Sequence, residues 1–294
     1  MPGGLFYIRP TPVTYKASDS FGFFMQSDPH WGASDTDQAL LRRERDLILR
    51  RRDRLNVNGD IYDAILTRDG KRYEPTNLHK RLQGRNDIMN GAIDMAYEYY
   101  APVAHLIDMI GCGNHDTAVE KHHNFDPVAV LVQRLNLLKG AKIAYGGYGG
   151  LIQYKFAPER LGGVNHCLNI FYWHGAGGGA TAASAASEFE KKGFVEGADV
   201  FWIGHKHLRS ANDVERLYIS PEGKRPRRRV QWNIRTGSYF DTYEYQSQED
   251  FTRRGRQSNY AADALLQPRG KGGIRLVLGF DSQTSKKSLK VELN

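Results

Sequence analysis

The chain has 294 residues, and 41 Lys plus Arg against 33 Asp plus Glu leave a formal charge of +8. With 40 % hydrophobic, 11 % aromatic and 25 % charged residues it is too apolar for a disordered chain and long enough to bury a core. No run of 18 apolar residues occurs, so no membrane span or membrane partner is expected, and the first 20 residues do not read as a signal peptide. The two cysteines, Cys112 and Cys167, form no CxxC pair, which excludes a disulfide framework and a cysteine zinc site and makes a reducing cytoplasm the expected location.

In chain order, short apolar runs end abruptly in polar loops. FGFFMQ (21–26) is a predicted strand that runs into Ser27-Asp28-Pro29-His30. Residues 36–55 place Leu40, Leu41, Leu47, Ile48 and Leu55 on one helical face, with arginines opposite and a capping box at Asp35 and Gln38. DRLNV (53–57) leads to Asn58-Gly59-Asp60, and 86–100 reads as a helix. HLIDMIGC (105–112) leads to Gly113-Asn114-His115-Asp116, and Asp126-Pro127 opens a helix to about Leu138. CLNIFYW (167–173) ends at His174, a helix follows over 181–192, and DVFWI (199–203) ends at Gly204-His205-Lys206-His207. Beyond Tyr239 the chain turns polar, with one last strand at IRLVLGF (274–280). Residues 241–294 read as a C-terminal extension, since about 55 residues make a marginal core, and 1–294 as a single α/β domain.

The histidines carry the chemistry. His30, His115, His174, His205 and His207 follow predicted strands directly, as do Asp28, Asp60 and Asn114. Ligands of α/β sheets bind at the carboxyl ends of strands, so these eight side chains converge on one expected site. Imidazole, carboxylate and one amide oxygen suit Mn2+, Fe or Zn2+. Two such ions activate water and clamp a phosphoryl group, which points to hydrolysis at phosphorus. His79, His105, His122, His123 and His166 fit no such pattern and read as ordinary.

Asp28-Pro29-His30, Gly59-Asp60 with Asp63, Gly113-Asn114-His115-Asp116, Trp173-His174-Gly175 and Gly204-His205-Lys206-His207 resemble, in order, the five motifs of the calcineurin-like metallophosphoesterases. The resemblance covers 21 to about 207. It implies two packed mixed β-sheets flanked by helices, a four-layer α/β/β/α sandwich. It also implies a first metal on Asp28, His30 and His207, and a second on Asn114, His174 and His205, with Asp60 bridging. His115 then contacts phosphoryl oxygens or protonates the leaving group, and Asp116 orients the His115 ring. One departure is the 54-residue step from Asp60 to Asn114, longer than the family pattern leads one to expect, whose basic insertion at about 67–87 is placed to shape substrate choice.

Three basic runs stand out. Residues 41–54 carry seven Arg against three acids, 68–85 six Lys or Arg against two, and 224–229 read KRPRRR in an expected turn. The first reads as a solubilising helix face and the third as the best nucleic-acid contact of the three. The expected function is a dinuclear phosphodiesterase or nuclease acting on DNA, RNA or nucleotides by direct attack of a metal-bridging hydroxide. The alternatives are a phosphomonoesterase, Ser/Thr protein phosphatases included, and a metal-free scaffold on the same fold. The first is weakened because Thr117-Ala118 follow Asp116 in place of those phosphatases' arginine context, and the second because no ligand is replaced.

Overall fold

The computed structural model describes residues 4–16, 18–63, 77–159, 165–177, 182–192, 195–219, 226–241, 270–281 and 287–293. Two sheets organise them. The first contains β1 (Phe6–Ile8), β2 (Val13–Tyr15), β7 (Gly149–Pro158), β8 (His166–Trp173), β9 (Val200–Ile203), β10 (Ser210–Ile219) and β11 (Pro226–Arg235), in the order β1-β7-β8-β9-β11-β10 with β2 also on β7. The second contains β3 (Ser20–Gln26), β4 (Arg54–Asn58), β5 (Ile107–Gly111), β6 (Ala144–Tyr145), β12 (Ile274–Phe280) and β13 (Lys287–Glu292), in the order β13-β12-β3-β4-β5-β6. Both sheets are mixed: β3, β4, β5 and β6 run parallel while β12 is antiparallel to β3, and β7 is antiparallel to β8 while β8 and β9 are parallel.

The core occupies three interfaces. Phe23, Met25, Leu276 and Leu278 of the second sheet meet Ile152, Tyr154, Ile170 and Trp202 of the first, so the sheets pack face to face. The outer face of the second sheet is covered by α1 (Gln38–Arg51), α2 (Ile88–Tyr100) and α4 (Pro127–Asn136), through Leu41, Ile48, Ile93, Ala96, Leu131 and Leu135. On the first sheet, Phe171 and Phe201 pack on Phe189 of α5 (Ala182–Lys192). Each fully buried large apolar side chain stabilises the fold by roughly 1.5–3 kcal/mol. This is the expected four-layer sandwich, and no helix of the described residues is long and apolar enough to cross a membrane.

Several local readings are corrected. Helix α1 is capped by Asp37, whose carboxylate accepts from Leu40 N, rather than by Asp35 and Gln38. It stops at Arg51, because Arg52 turns left-handed and frees Leu55 for β4. Asn114 opens a helix, α3 (Asn114–His123), where a loop was expected. The last strand, β12, falls at 274–280 as expected, is paired on both edges, and its alternating burial places Ile274, Leu276 and Leu278 between the sheets. Pro226 to Arg229 lie in β11, paired to β10, rather than in a turn. Arg229 is tied to Asp199 at 2.9 Å and Arg228 faces Glu215 at 3.5 Å, so these charges are already engaged. Of the basic insertion, 67–76 lie outside the described residues. In its described part Arg81 makes a bidentate pair with Glu98, both contacts at 2.7 Å, and Arg85 pairs with Asp87 at 2.8 Å. Lys224, Arg225 and most of 241–273 also lie outside the described residues.

Candidate metal centre

The carboxyl ends of β3, β4, β5, β8 and β9 meet at one edge of the sandwich, and the five loops that leave them supply every expected ligand. Asp28, His30 and His207 bring one ligand atom each within 4.8 Å of one another, and Asp60, His174 and His205 form a second such group. These are the two sets the motif order implies, less Asn114. His207 Nε2 lies 3.4 Å from Asp28 Oδ1 and 3.3 Å from His30 Nε2. His174 Nε2 lies 3.1 Å from Asp60 Oδ2 and 4.0 Å from Asp28 Oδ1, which joins the two groups. Asp28, His30, Asp60 and His174 are buried.

Backbone geometry sets this edge apart. Seven non-glycine residues among those described have positive φ; two, Arg52 and Asn124, are ordinary left-handed ends of helices. The other five are Asp28, His30, Asp60, His205 and His207, with φ between 46° and 66°. Such a conformation costs about 1–3 kcal/mol at each non-glycine residue and persists only where the surroundings enforce it. Glycines make the approach possible. A Cβ on Gly59 would lie 2.5 Å from His174 Nδ1, and one on Gly113 would lie 2.1 Å from Asp60 Oδ1.

Surrounding groups fix the rings. His174 Nδ1 contacts the Asn58 carbonyl at 2.8 Å; the carbonyl can only accept, so Nδ1 carries a proton and Nε2 is the ring atom that faces the carboxylates. His205 Nε2 likewise donates to Gly177 O at 3.1 Å, leaving Nδ1 bare. Asp28 accepts from Ser27 Oγ and from His205 N, and Asp60 Oδ1 accepts from His115 N at 2.9 Å. Among the described residues, the buried atoms at this edge without a hydrogen-bond partner include Asn114 Oδ1, His30 Nδ1 and His174 Nε2. A buried amide oxygen without a partner is costly in an apoprotein and suited to a cation. The donor set of nitrogen and oxygen atoms without thiolate fits a borderline divalent ion. The metal fits the site on these grounds.

The two mixed sheets flanked by helices are the sandwich that the motif resemblance implies. No family model matches the chain, and no curated protein does. Among solved structures, a conserved uncharacterized protein described as a predicted phosphoesterase, from Streptococcus pneumoniae TIGR4, aligns over 94 % of this chain and 100 % of its own, with 12 % identity and a TM-score of 0.31. A likeness that loose carries nothing about chemistry. The chemistry lies in the residues of this edge itself.

One expected role moves to another residue. Asp116 does not orient His115: its carboxylate accepts from Gly113 N at 2.8 Å and from Ile61 N and Tyr62 N at 3.1 Å, bracing the Asp60 loop against α3. The partner of His115 is Asp63, whose Oδ1 lies 3.2 Å from Nδ1. Asp63 also lies 3.9 Å from His30 Nδ1, and His30, Asp63 and His115 form a third group of possible ligands. The second motif includes Asp63, but its spacing gave no signal for this role. Phe240 gave none in the sequence, yet it stacks on His30 with centroids 4.3 Å apart. Tyr148 meets His174 edge-on at 5.5 Å and donates to Gly175 O at 2.6 Å.

Electrostatics follow from burial and pairing. Burial alone would raise Asp28, but the hydrogen bond from His207 and the charges of His174 and His207 hold it below the usual carboxylate range. Asp60 is likewise held well down, against burial, by His174. Burial would lower His174 and His115, but Asp60 raises the first to about 10, and the Asp63 hydrogen bond with Asp60 raises the second to about 9. His30 goes the other way, to about 3, through burial and the nearby His115. Burial and the Asp60 charge push Asp116 up to about 7, consistent with a brace rather than a working anion.

Proposed function

We propose that the chain is a metal-dependent phosphoesterase that hydrolyses phosphodiesters of nucleic acids or nucleotides. The observation that carries the reading is that, among the described non-glycine residues, left-handed backbone is confined to Asp28, His30, Asp60, His205 and His207, apart from two helix ends. Strain held at five ligand-type residues on three loops is retained for a function rather than for stability.

Asp28, His30 and His207 would hold one divalent ion, and Asn114, His174, His205 and Asp60 the other, with Mn2+ the first choice and Fe or Zn2+ next. Such ions supply Lewis acidity toward phosphoryl oxygens and an activated water at neutral pH. His115 does the rest from the protein side. It is part-exposed at the rim, and Asp63 keeps it protonated, so that Nε2–H is available to a phosphoryl or leaving-group oxygen. Phe240 and Tyr148 wall the rings and limit water around them. The preference for diesters draws its support from the +8 charge of the chain, since a polyanionic substrate is concentrated by a basic protein.

The test is hydrolysis of bis-p-nitrophenyl phosphate and p-nitrophenyl phosphate after chelation and after readdition of Mn2+. Chelation abolishes activity and Mn2+ restores it, with the diester the better substrate. Activity that survives thorough chelation would overturn the metal reading, and a preference for the monoester would overturn the diester assignment.

A further inference from the structure

A second concave site lies at the opposite end of the sheets. It is a cavity of about 1000 Å³ walled by the segment joining β1 to β2, the amino ends of β3 and β4, the carboxyl end of α1 and the loop before β6. Strand β3 spans seven residues at about 3.3 Å each, so roughly 20 Å separates this cavity from the metal centre. None of the ligand-type residues described above lines it.

Its lining is strongly basic. Arg9, Arg51, Arg52 and Lys142 come from three separate stretches of chain, are exposed, and have no carboxylate within ion-pair distance among the described residues. Asp108 is the one acidic residue in the wall, and it is already neutralised: both of its oxygens accept from Arg54, and Oδ2 also accepts from Tyr154 Oη at 2.8 Å. Four unpaired cations around one concavity repel one another unless an anion joins them. The rim also presents Phe6 and Tyr7, 39 % and 52 % exposed, with the Arg9 guanidinium 4.5 Å above the Tyr7 ring. Cations for phosphate beside exposed aromatic faces form the pairing that recognises a phosphorylated base. The volume is at the upper end of the range for small-molecule pockets.

We propose that this cavity binds a nucleoside polyphosphate, its phosphates on Arg51, Arg52 and Lys142 and its base on the Tyr7–Arg9 ledge, at a site separate from the metal centre. Arg51, Arg52 and Lys142 on the phosphates, with Arg9 beside the base, bring four positive charges to a cavity facing about −4 on a nucleoside triphosphate, which sets it above a mononucleotide. The site stands whether or not the metal centre is a phosphoesterase.

The experiment is calorimetric titration of the full chain with ATP at low salt in EDTA, so that no metal bridges phosphate to the carboxylates. Saturable one-site binding is expected, tighter for ATP than for inorganic tripolyphosphate because the base adds stacking. The triple variant Arg9→Ala, Arg51→Ala, Lys142→Ala changes only exposed side chains; it weakens binding by roughly tenfold or more while leaving diester hydrolysis and the melting temperature unchanged. Tyr7→Ala removes the difference between ATP and tripolyphosphate. Asp60→Asn, at the other end, keeps ATP binding. Absence of binding, equal affinity for ATP and tripolyphosphate in the parent chain, a triple variant that binds as before, or loss of binding in Asp60→Asn would each overturn the assignment. So would a single-stranded oligonucleotide that binds where ATP does not.

Discussion

The two ends of the second sheet are built on opposite terms. At the carboxyl end, charges are buried and nearly every one has a partner: Asp28, Asp60 and Asp63 each face an imidazole, and Asp28 and Asp60 do so with strained left-handed backbone. At the amino end the cations are exposed, the one acidic wall residue is taken, and the backbone is relaxed apart from a helix terminus at Arg52. Folding alone explains neither end. A buried cluster of carboxylate and imidazole is expensive unless a cation completes it, and a ring of exposed cations is mildly repulsive unless an anion does. The difference lies in how much stability each end gives up. The metal end forfeits several kcal/mol in strain and desolvation, the basic end little.

That contrast breaks first at Asp60. Asp60→Asn weakens the second ligand group and the link to the first, so metal content measured by plasma emission falls from about two ions per chain. Hydrolysis then drops by roughly 10³-fold or more, the scale of the several kcal/mol that metals supply. Full retention of both ions would show that Asp60 is not a shared ligand. Removal of strained, desolvated charge also leads us to expect a metal-free variant at least as stable to heat as the metal-free parent.

A smaller effect is expected at the rim. His115→Ala keeps both metals and lowers the rate by roughly 10²–10⁴, and by less for a p-nitrophenolate leaving group, which needs little protonation. Asp63→Asn keeps the ring but not its orienting charge, and costs roughly ten- to a hundredfold. An Asp63→Asn loss equal on good and poor leaving groups would make Asp63 a structural residue or a metal ligand instead of a positioning residue for a proton donor. Asp116→Asn, by contrast, should act on stability through the Gly113, Ile61 and Tyr62 amides, not on leaving-group dependence.

The metal end was legible in the sequence and the basic end was not, and the reason is physical. Metal chemistry restricts residue type, so Asp, His and Asn flanked by Gly at strand ends are visible along the chain. Phosphate recognition by exposed Arg and Lys leaves no local mark. Arg51 and Arg52 read as part of a solubilising helix face, and His105, matched to no motif, turns out to share their cavity. Strands with a long apolar run (β3, β5, β8, β9, β12) were readable, whereas β10 and β11 showed only as strand-like stretches on either side of 224–229, because most of β10 is exposed and carries no long apolar run. Helix α3 was hidden because NHDTAVEKHH buries only Asp116 and Val119, too little for an apolar stripe. The swap between Asp63 and Asp116 was beyond reach of spacing alone: both follow a strand-end Gly motif, and only the backbone amides around Asp116 distinguish them.

The smallest effect concerns what joins the two ends. Helix α1 starts beside the metal loops, where Asp37 N donates to Tyr239 O, and ends at the basic cavity with Arg51 and Arg52; its 14 residues span about 21 Å. Midway, the buried Glu44 carboxylate accepts from Tyr239 Oη and from Gly273 N at 3.1 Å. Burial raises this carboxyl from 4.5 to about 7 despite both hydrogen bonds. Above pH ~4.5 the unfolded chain releases the proton while the folded chain keeps it, so stability falls with rising pH until about pH 7 and then levels off. The whole fall is on the order of 3 kcal/mol. Glu44→Gln accepts from Gly273 N and offers its amide to Tyr239, so it keeps the contacts without the charge. Melting temperatures of parent and variant should therefore agree near pH 4.5 and diverge toward pH 7, the variant becoming the more stable. A constant gap across that range would mean the carboxylate is charged throughout. If Glu44→Gln leaves both metal content and ATP affinity unchanged, α1 is a rigid spacer and the two ends act independently; a shift in either would make Glu44 the point through which one end senses the other.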